Sequence, residues 1–217
     1  SRRLGIKKIE RIDAFDISHQ YMQQGVGSCV VFSESGPSKK EYRLFNIPND
    51  ITGNDVASME HVISRRLKYY KDQKPDLILI DGGRTQLNFT NKILRDFGMK
   101  KILVLGIAKG KGRVRATETI YTNKGILEID PHSESFKLLN EARDESHRFA
   151  ITASRKKIRK SNKYSALDSI NGIGPVTKKA LLKRFKSLKS IKGASKDDLM
   201  TIKNINETMA LEIKQIL

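Results

Sequence analysis

The sequence contains no tryptophan, and aromatic residues make up only 6% of its 217 positions. A platform of interleaved aromatics for stacking bases is therefore not expected. There is one cysteine, Cys29, which excludes an intramolecular disulfide framework and any zinc site built from several cysteines. No apolar run approaches the ~20 residues of a membrane span. Ser1-Arg2-Arg3-Leu4 leads into polar residues rather than an apolar segment, so no secretory leader is expected. Acidic residues are scarce beside basic ones: 24 Asp and Glu face 42 Lys and Arg, a formal charge of +18. An excess of that size argues for a polyanionic partner, nucleic acid first. Hydrophobic residues, at 38%, suffice for a core, and the length suits one to two domains. The expectation is a soluble, cytoplasmic protein associated with nucleic acid.

The sharpest change in composition is Arg155-Lys156-Lys157-Ile158-Arg159-Lys160, five of six residues being basic. It reads as a solvated helix end or a linker. Residues 1–160 carry 31 basic and 19 acidic residues and residues 161–217 carry 11 and 5, so both parts can meet a polyanion. Upstream of the break, residues 10–18, 27–32 and 42–47 read as three strands of an antiparallel meander. The first of them alternates poorly. Pro48 to Gly53 break the chain, and Val56, Met59, Val62, Ile63 and Leu67 then predict a helix from Asn54. Leu77-Ile78-Leu79-Ile80 and Ile102-Leu103-Val104-Leu105 are short apolar runs that suit strands buried on both faces. Between them Leu87, Ile93, Leu94 and Phe97 mark a helix stopped by Gly98. A hairpin around Asn123-Lys124-Gly125 and a long helix from Ser133 follow. The order predicts an α/β domain whose mixed sheet has its last pairs parallel.

The tail reads as all helical, with a weak internal repeat of 166–185 against 197–217. Asn171-Gly172-Ile173-Gly174-Pro175 joins two helices of the first copy. Its two glycines let the backbone approach a ligand closely, and N–H groups at the following helix start can bind a phosphate. Lys178, Lys179, Lys183 and Arg184 would add attraction without sequence readout. In the second copy, Lys203-Asn204-Ile205-Asn206 puts asparagine at both glycine positions. Asparagine adopts left-handed backbone less readily, so contact with phosphate and packing alone both stay open there.

Asp81 ends the apolar run Leu77–Ile80, where α/β sheets present their ligands. Asp16 lies inside Ala14-Phe15-Asp16-Ile17, and an acid within an apolar strand needs a partner or a metal. Asp13 is an odd number of residues away and points to the other face. Two carboxylates on neighbouring central strands can converge on one hard cation, Mg²⁺ or Mn²⁺, in a way that suits phosphodiester chemistry. Asp55 also reads as a helix-start acid. His147 lies on the long helix with no context of its own, and His19, His61 and His132 read as structural or exposed.

Together, Ala14-Phe15-Asp16-Ile17-Ser18-His19, Leu77-Ile78-Leu79-Ile80-Asp81-Gly82-Gly83 and Arg143-Asp144-Glu145-Ser146-His147-Arg148-Phe149-Ala150-Ile151 resemble the C-terminal half of the UvrC family of excision-repair nuclease subunits. The resemblance implies a ribonuclease-H-like mixed sheet with flanking helices over 1–158, a linker at 159–164 and a tandem helix-hairpin-helix domain over 165–217. It makes Asp16, Asp81 and His147 a metal-binding, catalytic triad, with Asp55 a further catalytic acid and Arg84 and Lys109 DNA-contacting cations near the site. It departs from the family pattern at Asn54, Val56 and Thr85. The activity implied is metal-dependent cleavage of the damaged strand on the 5′ side of a lesion. The partners implied are double-stranded DNA carrying a lesion or bubble and, through the full-length subunit, a UvrB–DNA complex. A neutral His147 is needed for ligation, so activity should fall on acidification. Two other readings stay open: a catalytically idle DNA-structure-binding module, and a nuclease of ribonuclease H type acting on RNA–DNA hybrids.

Overall fold

The computed structural model describes residues 8–18, 25–70, 73–109 and 118–217, without the side chains of Ser18, Lys109 and residues 159–165. His19 thus lies outside the described residues. The chain forms two compact units, Ser1–Ser154 and Arg155–Leu217.

The first unit is built on one eight-stranded sheet. Its strands are β1 (Arg11–Ser18), β2 (Val26–Ser33), β3 (Gly36–Pro37), β4 (Arg43–Asn46), β5 (Leu77–Asp81), β6 (Leu103–Lys109), β7 (Glu118–Thr122) and β8 (Gly125–Leu127). The order is β3-β2-β1-β5-β6-β7-β8, and β4 pairs with the other end of β2. β1 runs parallel to β5, and β5 to β6. Every other pair is antiparallel. The parallel pairs therefore lie in the middle of the sheet and not at its end, because β1 is the neighbour of a strand some sixty residues away. Pairing Leu77 with Ile12 sets that register, and sequence order carries no trace of it.

Both faces of the sheet are covered. On one, α1 (Asp55–Leu67) and α2 (Arg84–Asp96) bury Met59, Val62, Ile63, Leu87 and Leu94 against Phe15, Val31, Ile78, Ile80 and Val104. On the other, α3 (Glu134–Asp168) places Leu139 and Ala142 over Ile12, Ala14, Val30, Leu79, Leu105 and Ile107. Two covered faces explain why β1 alternates poorly: apolar residues are wanted at both parities. β6 continues past Leu105 to Lys109, four residues further than its apolar run. The glycine after that run is a point of close approach and not a strand end. A Cβ on Gly106 would stand 2.8 Å from the carbonyl oxygen of Gly82. In β4 the buried residue is Phe45, while Leu44 is 47% exposed, so the odd-numbered side of the strand meets the core.

Helix α3 is unbroken through 159–164, where a linker was expected. Arg155 to Tyr164 contain neither Gly nor Pro to end it. The second unit comprises the last turns of α3, then α4 (Pro175–Phe185), α5 (Leu188–Gly193), α6 (Lys196–Met200) and α7 (Glu207–Ile216). Its core shows the repeat directly: Leu167 and Leu199, Ile170 and Ile202, Ile173 and Ile205, and Leu181 and Ile213 are all buried, each pair thirty-two residues apart. Among the described residues no helix is long and apolar enough to cross a membrane.

Candidate metal centre and nucleic-acid interface

Parity along β1 decides which acid reaches which face. Ile12 and Ala14 pack under α3, Phe15 under α1, and so Asp16 returns to the α3 face. In β5, Leu77 and Leu79 point to α3, and Asp81 follows them. The paired residues Phe15 and Ile80 are the last of that ladder, so the two aspartates come next, side by side at the carboxyl ends of parallel strands.

Above them His147 descends from α3. Its Nδ1 lies 3.3 Å from Asp16 Oδ2 and 3.9 Å from Asp81 Oδ2. One ligand atom from each residue falls within 4.8 Å of the others, so the three could hold a metal ion. Among the described residues this is the one such group. Asp16 is 6% exposed, and the imidazole is half exposed, which leaves one side open to solvent. Burial holds the Asp81 carboxyl above the ordinary aspartate value, and the neighbouring Asp16 pushes it further. Arg143 and His147 pull it back. Two carboxylates crowded in a partly buried site are stabilised by a cation, and an oxygen, oxygen, nitrogen donor set suits a divalent metal ion.

The turn after Asp81 is held from beneath. Gly82 N–H donates to the Ile107 carbonyl at 2.9 Å, and Gly83 N–H to Gln86 Oε1 at 3.1 Å. The turn passes over β6 because Gly106 has no side chain.

Asp55 stands apart from this group. It is the first residue of α1, exposed, behind the cap Asn54, whose side chain accepts from Ala57 N–H at 3.1 Å. Asp13 points to the other face, as its parity requires. It is fully buried, receiving Arg66 Nη2 at 2.9 Å, Tyr70 Oη at 2.6 Å and Arg11 Nε at 2.9 Å. Arg84 opens α2, exposed, three residues beyond Asp81. Lys109 ends β6, and its side chain lies outside the described residues, as does the segment 110–117. A cavity of about 780 Å³, lined by Ile9, Phe32, Leu77 and Leu138 among others, contains none of these residues.

In the second unit Gly172 takes a left-handed φ of 78° and Gly174 is the extended cap residue of α4. With Pro175 next and no side-chain cap, the N–H groups of Val176 and Thr177 head the helix. Lys179 and Lys183 are exposed. Lys178 is not available to DNA as expected: it is 8% exposed and ion-paired with Asp168. One helical turn before the buried Leu181 it falls on the inner face, at the position that the buried Ala210 takes in the second copy. The second hairpin adopts the same backbone as the first, Asn204 having φ 70° and Asn206 being the extended cap of α7.

Sequence reading passed over Arg143, whose guanidinium pairs with Glu118 and with Asp144 beside the site. It also passed over Ser28, whose Oγ donates to the Ser146 carbonyl at 2.9 Å. A serine in an apolar strand was the one available signal.

Comparison with known proteins gives a consistent result. Residues 1–151 match the model of the UvrC RNAse H endonuclease domain, and residues 164–217 match that of a SAM-like helix-hairpin-helix tandem. UvrABC system protein C of Legionella pneumophila (strain Paris) is 40% identical over 213 residues, 96% of this chain and 34% of its own length. The protein of that name from Chromohalobacter salexigens is 40% identical over 212 residues, 95% of this chain and 35% of its own. The chain thus spans about a third of the length of these relatives. Among solved structures, the catalytic domain of human Endonuclease V covers 70% of this chain and 85% of its own, with 11% identity and a TM-score of 0.44, too distant to bear on function.

Proposed function

The chain belongs to the UvrC family, and from that premise we propose that it is a divalent-metal-dependent endonuclease module of nucleotide excision repair. In this reading it hydrolyses one phosphodiester of the damaged strand on the 5′ side of a lesion, in the cytoplasm. The observation that carries it is the convergence of Asp16, Asp81 and His147 from three elements onto one point at the strand ends.

Asp16 and Asp81 would hold Mg²⁺ or Mn²⁺ with His147 as the third ligand. When bound, that ion supplies Lewis acidity toward the scissile phosphate and lowers the pKa of a coordinated water. The chain's own residues do the rest. The carboxylates stand side by side at the ends of adjacent parallel strands. Asp81, whose carboxyl is pushed up by burial and by Asp16, would hold the ion in its ionised form. The half-exposed His147 leaves the site open toward the backbone of a strand. Arg84 at the start of α2 would take a neighbouring phosphate, with Lys109 beside it, and Asp55 would contribute as a further acid.

The helix-hairpin-helix unit would bind the duplex without reading its sequence. Val176 and Thr177 N–H groups would meet a phosphate at the first hairpin, and Lys179 and Lys183 would add sequence-independent attraction. Lesion targeting would come from the UvrB–DNA complex through the full-length subunit.

The test is Mn²⁺-dependent nicking of a bubble-containing duplex by this chain and by Asp81→Asn, with DNA binding followed in parallel. Nicking lost with binding retained supports the proposal. Equal nicking by both overturns the assignment of Asp81. Binding without nicking by either, even after a UvrB–DNA complex is added, leaves a binding module and overturns the nuclease reading.

A further inference from the structure

His147 has an unusual task for a half-exposed side chain. Its ring must meet two carboxylates on two different strands, yet burial does not hold it, since the side chain is 53% exposed. Its place is therefore set by the seat of α3 on the sheet. The apolar part of that seat uses Phe136, Leu139, Ala142 and Phe149, the last ring packed edge-on against Tyr42. Apolar packing of this kind sets how closely the helix approaches, whereas a polar contact fixes direction as well as distance. Polar contacts therefore add to the packing in setting the register.

Two such contacts bracket the site. On one flank, Ser28 of β2 donates to the Ser146 carbonyl, both residues being fully buried. On the other, Arg143 pairs with Glu118 of β7, with side chains only 12% and 19% exposed. In the sheet order β2-β1-β5-β6-β7 these flanks enclose the strands of Asp16 and Asp81. Ser146 precedes His147 directly, and Arg143 lies one helical turn before it on the same face.

Resting on the reading of Asp16, Asp81 and His147 as the metal site, we propose that Arg143, anchored by Glu118, is a positioning residue that sets the register of α3 and so delivers His147 to the two aspartates. The guanidinium is an anchor rather than a phosphate clamp. Its Nη1 serves Glu118, and its Nε and Nη2 donate to Asp144 Oδ1 at 3.0 and 2.6 Å. Every nitrogen is already engaged within the fold. Arginine suits the role because its planar fork fixes direction as well as charge, which lysine cannot.

The experiment compares wild type, Arg143→Gln, Arg143→Lys, Glu118→Gln and the double Gln variant in the whole chain. Mn²⁺ uptake is measured by calorimetry without DNA, and nicking of the bubble duplex is measured across Mn²⁺ concentration. The expected result is a rise in the Mn²⁺ dissociation constant of ~10–100-fold for Arg143→Gln and Glu118→Gln, the range for residues that orient a ligand. Nicking should recover toward wild type at saturating Mn²⁺. The double variant should be no worse than either single one, because both break one contact. Arg143→Lys should fall between wild type and Arg143→Gln. Should the Gln variants fail to fold, Ser28→Ala loosens the opposite flank and should shift the constant in the same direction.

Mn²⁺ affinity unchanged in every variant would overturn the proposal. So would a lower maximal rate with unshifted affinity, which would mean that Arg143 touches substrate. Wild type that takes up no Mn²⁺ would overturn the metal reading itself, and the positioning role with it.

Discussion

Asp13 and Asp16 stand three residues apart on β1, both nearly inaccessible at 0% and 6% exposure, yet they face different worlds. Asp13 looks toward α1, where Arg66 and Arg11 neutralise it and, with the Tyr70 hydroxyl, satisfy both oxygens. Asp16 looks toward α3, where its neighbours are a second carboxylate and an imidazole. Burial of an acid is common to both and so does not identify function. The sign of the surrounding charge does: a cation-balanced acid belongs to the fold, whereas an acid beside another acid is arranged for a cation from outside.

This contrast yields its largest effect in activity. Asp16→Asn should lower Mn²⁺-dependent nicking by at least ~100-fold, without lowering the metal-free melting temperature, because the substitution removes one of two crowded like charges. A variant that nicks normally, or that melts far below wild type, would break the distinction. Asp13→Asn should do the reverse. It leaves Arg66 buried beside a neutral amide and should cost about 3–5 kcal/mol in urea unfolding, while nicking per folded molecule stays near that of wild type.

Acidity sharpens the same point. Asp81's carboxyl is raised by burial and by Asp16, so the unfolded chain ionises it more easily than the folded one. Ionised Asp81 therefore destabilises the metal-free fold at neutral pH. That cost fades as pH falls through the raised value toward the ordinary aspartate range. Melting curves should show Asp81→Asn above wild type at pH 7, with the gap closing on acidification. Mn²⁺ should stabilise wild type but not the variant. A gap that does not change with pH would contradict the assignment.

The two hairpins carry a gentler version of the contrast. Their backbones agree, with φ 78° at Gly172 and 70° at Asn204, but their helix starts differ. Gly174 offers α4 no side-chain cap, whereas Asn206 accepts from Met209 N–H at 2.9 Å. The first helix start is open to a phosphate, and the second is partly filled by its own chain. Gly172→Ala should cost about 1–2 kcal/mol, since its Cβ would also meet Met209 Cε at 3.0 Å. Asn204→Gly should gain less than about 1 kcal/mol. Thermal unfolding of the two variants measures both. Equal and opposite effects would mean that the hairpins are interchangeable.

Much of this was legible beforehand for physical reasons. Acids inside or at the end of apolar runs stand out because desolvation makes them rare, so Asp16 and Asp81 declared themselves. Parity placed Asp13 on the other face. His147 carried no local signal and was picked out only by its motif. Arg143 with Glu118, and Ser28 with Ser146, were invisible because each contact joins residues far apart along the chain. Lys178 misled because a lysine in a basic helix looks solvated until the helix face is known. Gly106 carried no signal of its own, because the turn that passes over it belongs to a distant stretch of chain.

The sequence by itself determined most of the secondary elements, the two-part organisation, the excess of positive charge and the residue types of the site, because these follow from local periodicity, composition and the cost of burying charge. Only the tertiary structure decided that β1 lies between β2 and β5, that α3 crosses the face carrying Asp16 and not the face carrying Asp13, and that Asn204 takes up the left-handed turn of Gly172. Those outcomes depend on pairings between distant segments, whose free energies sum over the whole packed unit and leave no mark on any short stretch of chain.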